Sequence, residues 1–162
     1  MAMVWGQGEL FAVANKEEIA RTKFLLEKYI DMVSLIQDFE IYEKELQQVG
    51  IDGEVARRID QEDLYADKSS NAVLLMEKQR WVYKEYVFYT MTLKRAIGII
   101  RTPEARKAIE FRYIHGLSRG EAISKIKSDG YSDSTVDRRV EKGIEAIANT
   151  LKTWGFFERE NV

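Results

Sequence analysis

The chain has 162 residues, 45% apolar and 32% charged, with a formal charge of −2, one histidine, one proline and no cysteine. That is enough apolar side chain for one compact core with a smaller appended module, and it excludes a disordered tail, a disulfide framework, a thiolate metal site and a cysteine nucleophile. A lone His115 makes no protein-only zinc centre and no apolar run approaches the roughly 20 residues that cross a bilayer, so a cytoplasmic protein with no cofactor and no membrane partner is expected.

Residues 1–15 hold Trp5, Leu10 and Phe11 without a period and read as an N-terminal arm. From Lys16, Ile19, Leu26, Tyr29, Val33, Ile36, Phe39 and Leu46 recur mostly three or four apart, the stripe of an amphipathic helix. Asn15 is its expected N-cap, Glu17 and Glu18 favour the positive end of its dipole, and Gly50 and Gly53 are expected to end it near Val49. Ile51 to Asp67 reads as a polar connector with a helical turn about Val55 to Ile59. A second helix is expected from Ser69 or Ser70 to about Ile100, roughly 45 Å long at 1.5 Å per residue.

A helix of that length exceeds what a small core covers. Residues 16–100 are therefore expected to form a long antiparallel helical hairpin, with leftover apolar surface, Leu75 and Leu93 included, meeting a second protomer. Trp81, Tyr83, Tyr86, Phe88 and Tyr89 fall at helical spacing with Lys84 the one basic residue interleaved, so they read as core or dimer contacts rather than a base-stacking surface.

Thr102-Pro103-Glu104 restarts the chain as a new module over 101–155, with 156–162 as a tail. Three helices follow in short order. The first runs from Pro103 to His115 and stops at Gly116. The second opens on Ser118-Arg119-Gly120-Glu121, a capping box, buries Ala122, Ile123 and Ile126, and breaks at Ser128-Asp129-Gly130. The third is capped by Ser132, with Tyr131 and Val136 as a hydrophobic staple, and Val136, Val140, Ile144, Ile147, Leu151 and Trp154 make its buried stripe.

Helix, short capped helix, turn and longer capped helix is the pattern of a helix-turn-helix. With the core face set by Val136, Val140 and Ile144, the residues Ser134, Thr135, Arg138, Arg139 and Lys142 project outward near the start of the third helix. Arg138 has the donor fork for guanine O6 and N7, Ser134 and Thr135 suit a base edge or a phosphate, and Arg139 and Lys142 suit phosphates. Ser118 and Arg119, at the positive end of the second helix, are candidate backbone contacts. Charge agrees: residues 101–152 hold eleven Lys/Arg against eight Asp/Glu, a charge of +3, whereas residues 1–100 hold thirteen against seventeen, a charge of −4. The expected function is sequence-specific binding of double-stranded DNA by an all-α protein whose C-terminal segment from 101 acts as an independent unit. Asp133, Asp137 and Glu141 leave open the alternative of a three-helix bundle with an ordinary charged face. No nucleophile-base pair, phosphate loop or carboxylate cluster suggests an enzyme.

The tract from Glu104 to Leu151, with L-S-R-G-E-A-I at 117–123 and Y-S-D-S-T-V-D-R-R-V at 131–140, resembles region 4 of bacterial sigma factors, and more closely the sigma-like module of the RinA/ArpU group of phage late-gene activators. The E-x-Y-x-K-E-L segment at Glu40 to Leu46 and the D-K-S-S-N-A-V restart at Asp67 to Val73 extend the likeness over about residues 17–152. Fourteen residues separate Glu121 from Val136, a longer connection than in sigma region 4 and one the RinA-like proteins share. The resemblance implies an activator of phage or prophage packaging and morphogenesis genes in a bacterial host, with the acidic hairpin serving dimerisation or contact with RNA polymerase. A small terminase subunit and a protein-binding adaptor or antirepressor are the alternatives.

Overall fold

The computed structural model describes residue 6 and residues 10–57, 66–127 and 133–160, with side chains at 46–57, 66–72, 127 and 160 outside the description. Among the described residues there are helices and short connections but no strand. The helices are α1 (Lys16–Glu27), α2 (Tyr29–Arg57), α3 (Ala66–Gly98), α4 (Pro103–Ile109) continued by a π-helical turn (Glu110–Ile114), α5 (Arg119–Lys127), α6 (Asp133–Thr153) and α7 (Phe156–Glu160). The chain forms two compact units, one of Met1–Ile30 with Thr90–Val162 and one of Asp31–Tyr89. The expected boundary at residue 101 is thus not where the compact units divide, because Leu25, Leu26, Leu93, Ala96 and Ile97 are buried in the same unit as the C-terminal helices.

Asn15 caps α1 as its sequence requires. The Glu18 N–H donates to Asn15 Oδ1 at 2.9 Å and the Asn15 N–H donates back to Glu18 Oε1 at 2.9 Å, a complete capping box. The arm is tied to the far end of α6: the Ala14 N–H donates to Asn149 Oδ1 at 2.8 Å, and Lys152 Nζ donates to Val13 O at 3.1 Å and to Glu18 Oε1 at 2.9 Å. Burial raises the Glu18 carboxyl pKa, but the Asn15 N–H and the Lys152 ammonium outweigh it and hold the group below its ordinary value.

Gly50 and Gly53 do not end the first long stretch; the backbone stays helical to Arg57. Each glycine costs a helix about 1 kcal/mol relative to alanine, too little to stop one where no proline follows. The second long helix starts at Ala66, earlier than Ser69. The connector beyond Arg57, Trp5, the break at Ser128-Asp129-Gly130, Tyr131 and the Ser132 cap lie outside the described residues.

In the unit of Asp31–Tyr89, contacts between α2 and α3 run in opposite senses. Phe39 stacks on Tyr83 with ring centroids 4.7 Å apart, Tyr83 Oη donates to Glu40 Oε1 at 3.0 Å, and Arg80 Nη2 lies 3.9 Å from Glu43 Oε1. Its core is thin: among the described residues, Met32 is its one buried apolar side chain.

The other unit holds nearly all of the buried surface. Ala108, Ile123, Ile126 and Val136 form a cluster joined by Phe111 and Val140, and Ile109, Ile144, Ile147 and Leu151 continue it along α4 and α6. Gly143 lets α4 and α6 touch, because a β-carbon there would stand 2.4 Å from Ile109 Cγ1 and 3.3 Å from Ala105 O. The expected stripe on α6 holds through Leu151, but Trp154 is exposed beneath the Arg95 guanidinium, 4.4 Å from the ring centroid. Nor is 156–162 a mere tail. Gly155, at φ +75°, turns the chain so that Phe156 and Phe157 are buried edge to face, 5.5 Å apart.

Candidate nucleic-acid interface

The approach to α5 is built by backbone shape. One π-helical turn ends α4, with the His115 N–H on Glu110 O at 2.9 Å, and Gly116 follows at φ +69°. The Leu117 N–H reaches Phe111 O at 3.2 Å and Arg112 Nη1 donates to Leu117 O at 3.1 Å, which satisfies the carbonyls around the bend. Ser118 then caps α5 through its Oγ, accepting from the Glu121 N–H at 3.2 Å. Ala122, Ile123 and Ile126 are buried as their spacing predicts.

Seen down α6, the buried Val136, Gly143, Ile144 and Ile147 define the inner face. At about 100° per residue, Arg138 and Lys142 fall on the opposite side, and both are exposed. Ser134 is exposed beside them, while Thr135 and Arg139 are half-buried on one flank. Asp137, Glu141 and Glu145 line a groove of about 560 Å³ together with Lys16 and Lys23 of α1 and Arg112 and Arg119. At the same 100° per residue Glu141 falls within about 20° of Ser134 and Glu145 within about 20° of Arg138, so acids and bases share the outward face of the helix. Pairing of Asp137 with the bases of its own helix, which an ordinary charged face would use, is not how this carboxylate is engaged.

Asp137 instead takes the guanidinium of Arg119. Nε donates to Oδ1 at 3.0 Å and Nη2 to Oδ2 at 2.6 Å, a two-pronged bridge from the start of α5 to the first turns of α6. The hydrogen bond from Arg119 holds the Asp137 carboxyl below its ordinary pKa, and Asp137 raises that of Arg119. Of the expected site residues, Ser118 faces solvent while serving as a cap, Arg119 is committed to a protein partner, and Ser134, Thr135, Arg138, Arg139 and Lys142 share one end of α6. Arg119 and Asp137 stand 18 positions apart, so no helical period marks their pairing in the sequence. Gly143 did carry a signal, a glycine inside an apolar stripe, which marks close backbone approach.

Compared with models of protein families, with curated proteins and with solved structures, the chain matches none. Among the described residues there is no cluster of His, Asp or Glu fit for a metal ion and no helix long and apolar enough to cross a membrane.

Proposed function

We propose that the chain binds double-stranded DNA sequence-specifically through α5 and α6 and acts as a transcriptional regulator, an activator of phage or prophage late genes of the RinA/ArpU type. The observation that carries the DNA-binding part is the exposure of Ser134, Arg138 and Lys142 at the N-terminal end of α6, opposite the core face. The phage-activator part rests on the motif resemblance at 117–123 and 131–140. Residues 16–100 supply self-association or a surface for RNA polymerase in this reading.

The test is selection of bound duplexes from a random pool by the full chain, followed by salt titration of the enriched site. An enriched motif with affinity falling steeply in salt is expected. Absence of any enriched sequence, or affinity indifferent to salt, sinks the reading and favours a protein-binding adaptor.

A further inference from the structure

We infer that the groove bounded by α1, α5 and α6 seats an amphipathic helix of another protein, one with acids along the flank that faces α1 and bases along the flank that faces α6. The inference is independent of the DNA reading and is tested without nucleic acid. The groove holds about 560 Å³. Its floor is apolar: Ile123, Val136 and Ile144 are buried beneath it, and Ile19 and Val140 are half-buried at its sides. The lining runs from Lys16 to Glu27 on α1 and from Val136 to Glu145 on α6, so at 1.5 Å per residue the groove is about 13–16 Å long. That is the length of about three helical turns.

The charges along the groove choose its occupant. Lys16 and Lys23 stand on one line of α1, about 10 Å apart, and Glu141 and Glu145 stand one turn apart on α6, about 6 Å. All four are exposed, and among the described residues none of them is ion-paired. The other charges of the lining are answered locally. Asp137 holds Arg119, and Glu27 and Arg112 both act on Tyr113, whose hydroxyl pKa is raised by burial, lowered by Arg112 and raised by Glu27. One wall is thus positive and the other negative. The negative wall repels a nucleic acid or a fatty acid. An extended peptide would lay backbone N–H and C=O groups on an apolar floor that cannot pair them. A small zwitterion meets one charge on each wall and leaves the rest unanswered. A helix satisfies its own backbone, sends apolar side chains at i, i+4 and i+7 to the floor, and repeats a flank charge every three or four residues, as the walls require. The exposed row Leu74, Trp81 and Phe88 on α3 of a second copy does not match, because Glu77 and Lys84 on one flank and Lys78 and Glu85 on the other give each flank both signs.

Two labelled synthetic peptides of the same composition test this by fluorescence anisotropy with the full chain. Both place leucines at i, i+4 and i+7 of a helix. The first has all its glutamates on one flank and all its lysines on the other; the second mixes both signs on each flank. A helix can lie in the groove in either direction, so segregation of the charges matters and the side on which the acids stand does not. The first peptide is expected to bind about tenfold more tightly than the second. Lys16→Glu with Lys23→Glu makes both walls acidic, and the two peptides are then expected to bind equally weakly. Both lysines are exposed, so this variant keeps its fold, as circular dichroism checks. Ile19→Asp puts a charge at the floor and is expected to abolish binding of the first peptide by protein that circular dichroism shows to be folded. Failure of the folded wild type to bind the first peptide, equal binding of the two peptides, or a preference that survives the lysine changes overturns the inference. Sedimentation velocity in which the lysine changes abolish pairing of copies overturns it too, and assigns the groove to a second copy.

Discussion

Gly143 of α6 lies so close to Ile109 of α4 that a β-carbon at 143 would stand 2.4 Å from Ile109 Cγ1 and 2.9 Å from its Cδ1. Ile109 is fully buried and cannot swing aside. Helix α6 thus owes its seat on the unit to a missing side chain.

Gly143→Ala puts two effects in opposition. Alanine favours a helix over glycine by about 1 kcal/mol, whereas overpacking a dense core costs about 1–3 kcal/mol. Crowding by both a rigid side chain and the Ala105 carbonyl decides for the second, and a lowered midpoint in denaturant is expected. Ile109→Ala alone costs about 2–5 kcal/mol by leaving a cavity. Together the two changes are expected to cost less than their sum, since the methyl added at 143 occupies space that Ile109→Ala vacates; strict additivity in a double-mutant cycle counts against the contact.

Arg138 and Lys142 are both outward on α6 but differ in depth along it. Arg138→Ala is expected to lose about 1–3 kcal/mol on the selected site and to relax preference at one base pair. Lys142→Ala is expected to weaken all sequences alike and to reduce the salt slope by about one. Both side chains are exposed, so folding is expected to be unchanged. If neither change alters binding by folded protein, α6 does not read DNA.

The Arg119–Asp137 bridge makes a further claim. With its fork occupied, Arg119 is electrostatically muted at the proposed interface. Asp137→Ala frees the guanidinium and removes a nearby anion, so binding to random duplex is expected to tighten with a salt slope steeper by about one. Weaker binding by a protein with unaltered melting behaviour contradicts a muting role.

The tie between Lys152 and Glu18 predicts a pH signature. Glu18 is held below its ordinary pKa of 4.5, so its contribution to stability is complete above that value and is lost as pH falls through the lowered one in the folded state. Lys152→Met is expected to cost about 1 kcal/mol at neutral pH. Urea titrations at falling pH are expected to show the gap between wild type and variant closing as the pH drops below 4.5. A gap constant with pH assigns the effect to lost packing of the lysine stem.

Local chemistry was legible in the sequence and long-range closure was not. Asn15 with Glu18, Ser118 with Glu121, and Gly116 each announce a cap within four residues, and each appears where its pattern placed it. Leu93 shows the opposite case. Its helical spacing suggested an associating surface alongside Leu75, yet Leu93 is fully buried and Leu75 is exposed, because periodicity gives a face but not what covers it. The π-helical turn at Glu110–Ile114 has no residue signature, since one displaced hydrogen-bond register needs neither glycine nor proline. Of the candidate site, the strip on α6 followed from its stripe, whereas the capture of Arg119 by Asp137 depended on how two helices meet.

The clip that joins Glu18 to Lys152 spans 134 positions of chain. At about 5–20 residues per second, a ribosome takes roughly ten seconds to make the intervening segment, and more chain must clear the exit tunnel before α6 can close on α1. Throughout that interval Leu25, Leu26 and Tyr29, which end up buried, have been synthesised without the helix that completes their unit. This topology leaves the buried face of α1 uncovered until α6 has been made, so the first helix of the unit is among the last to be sealed.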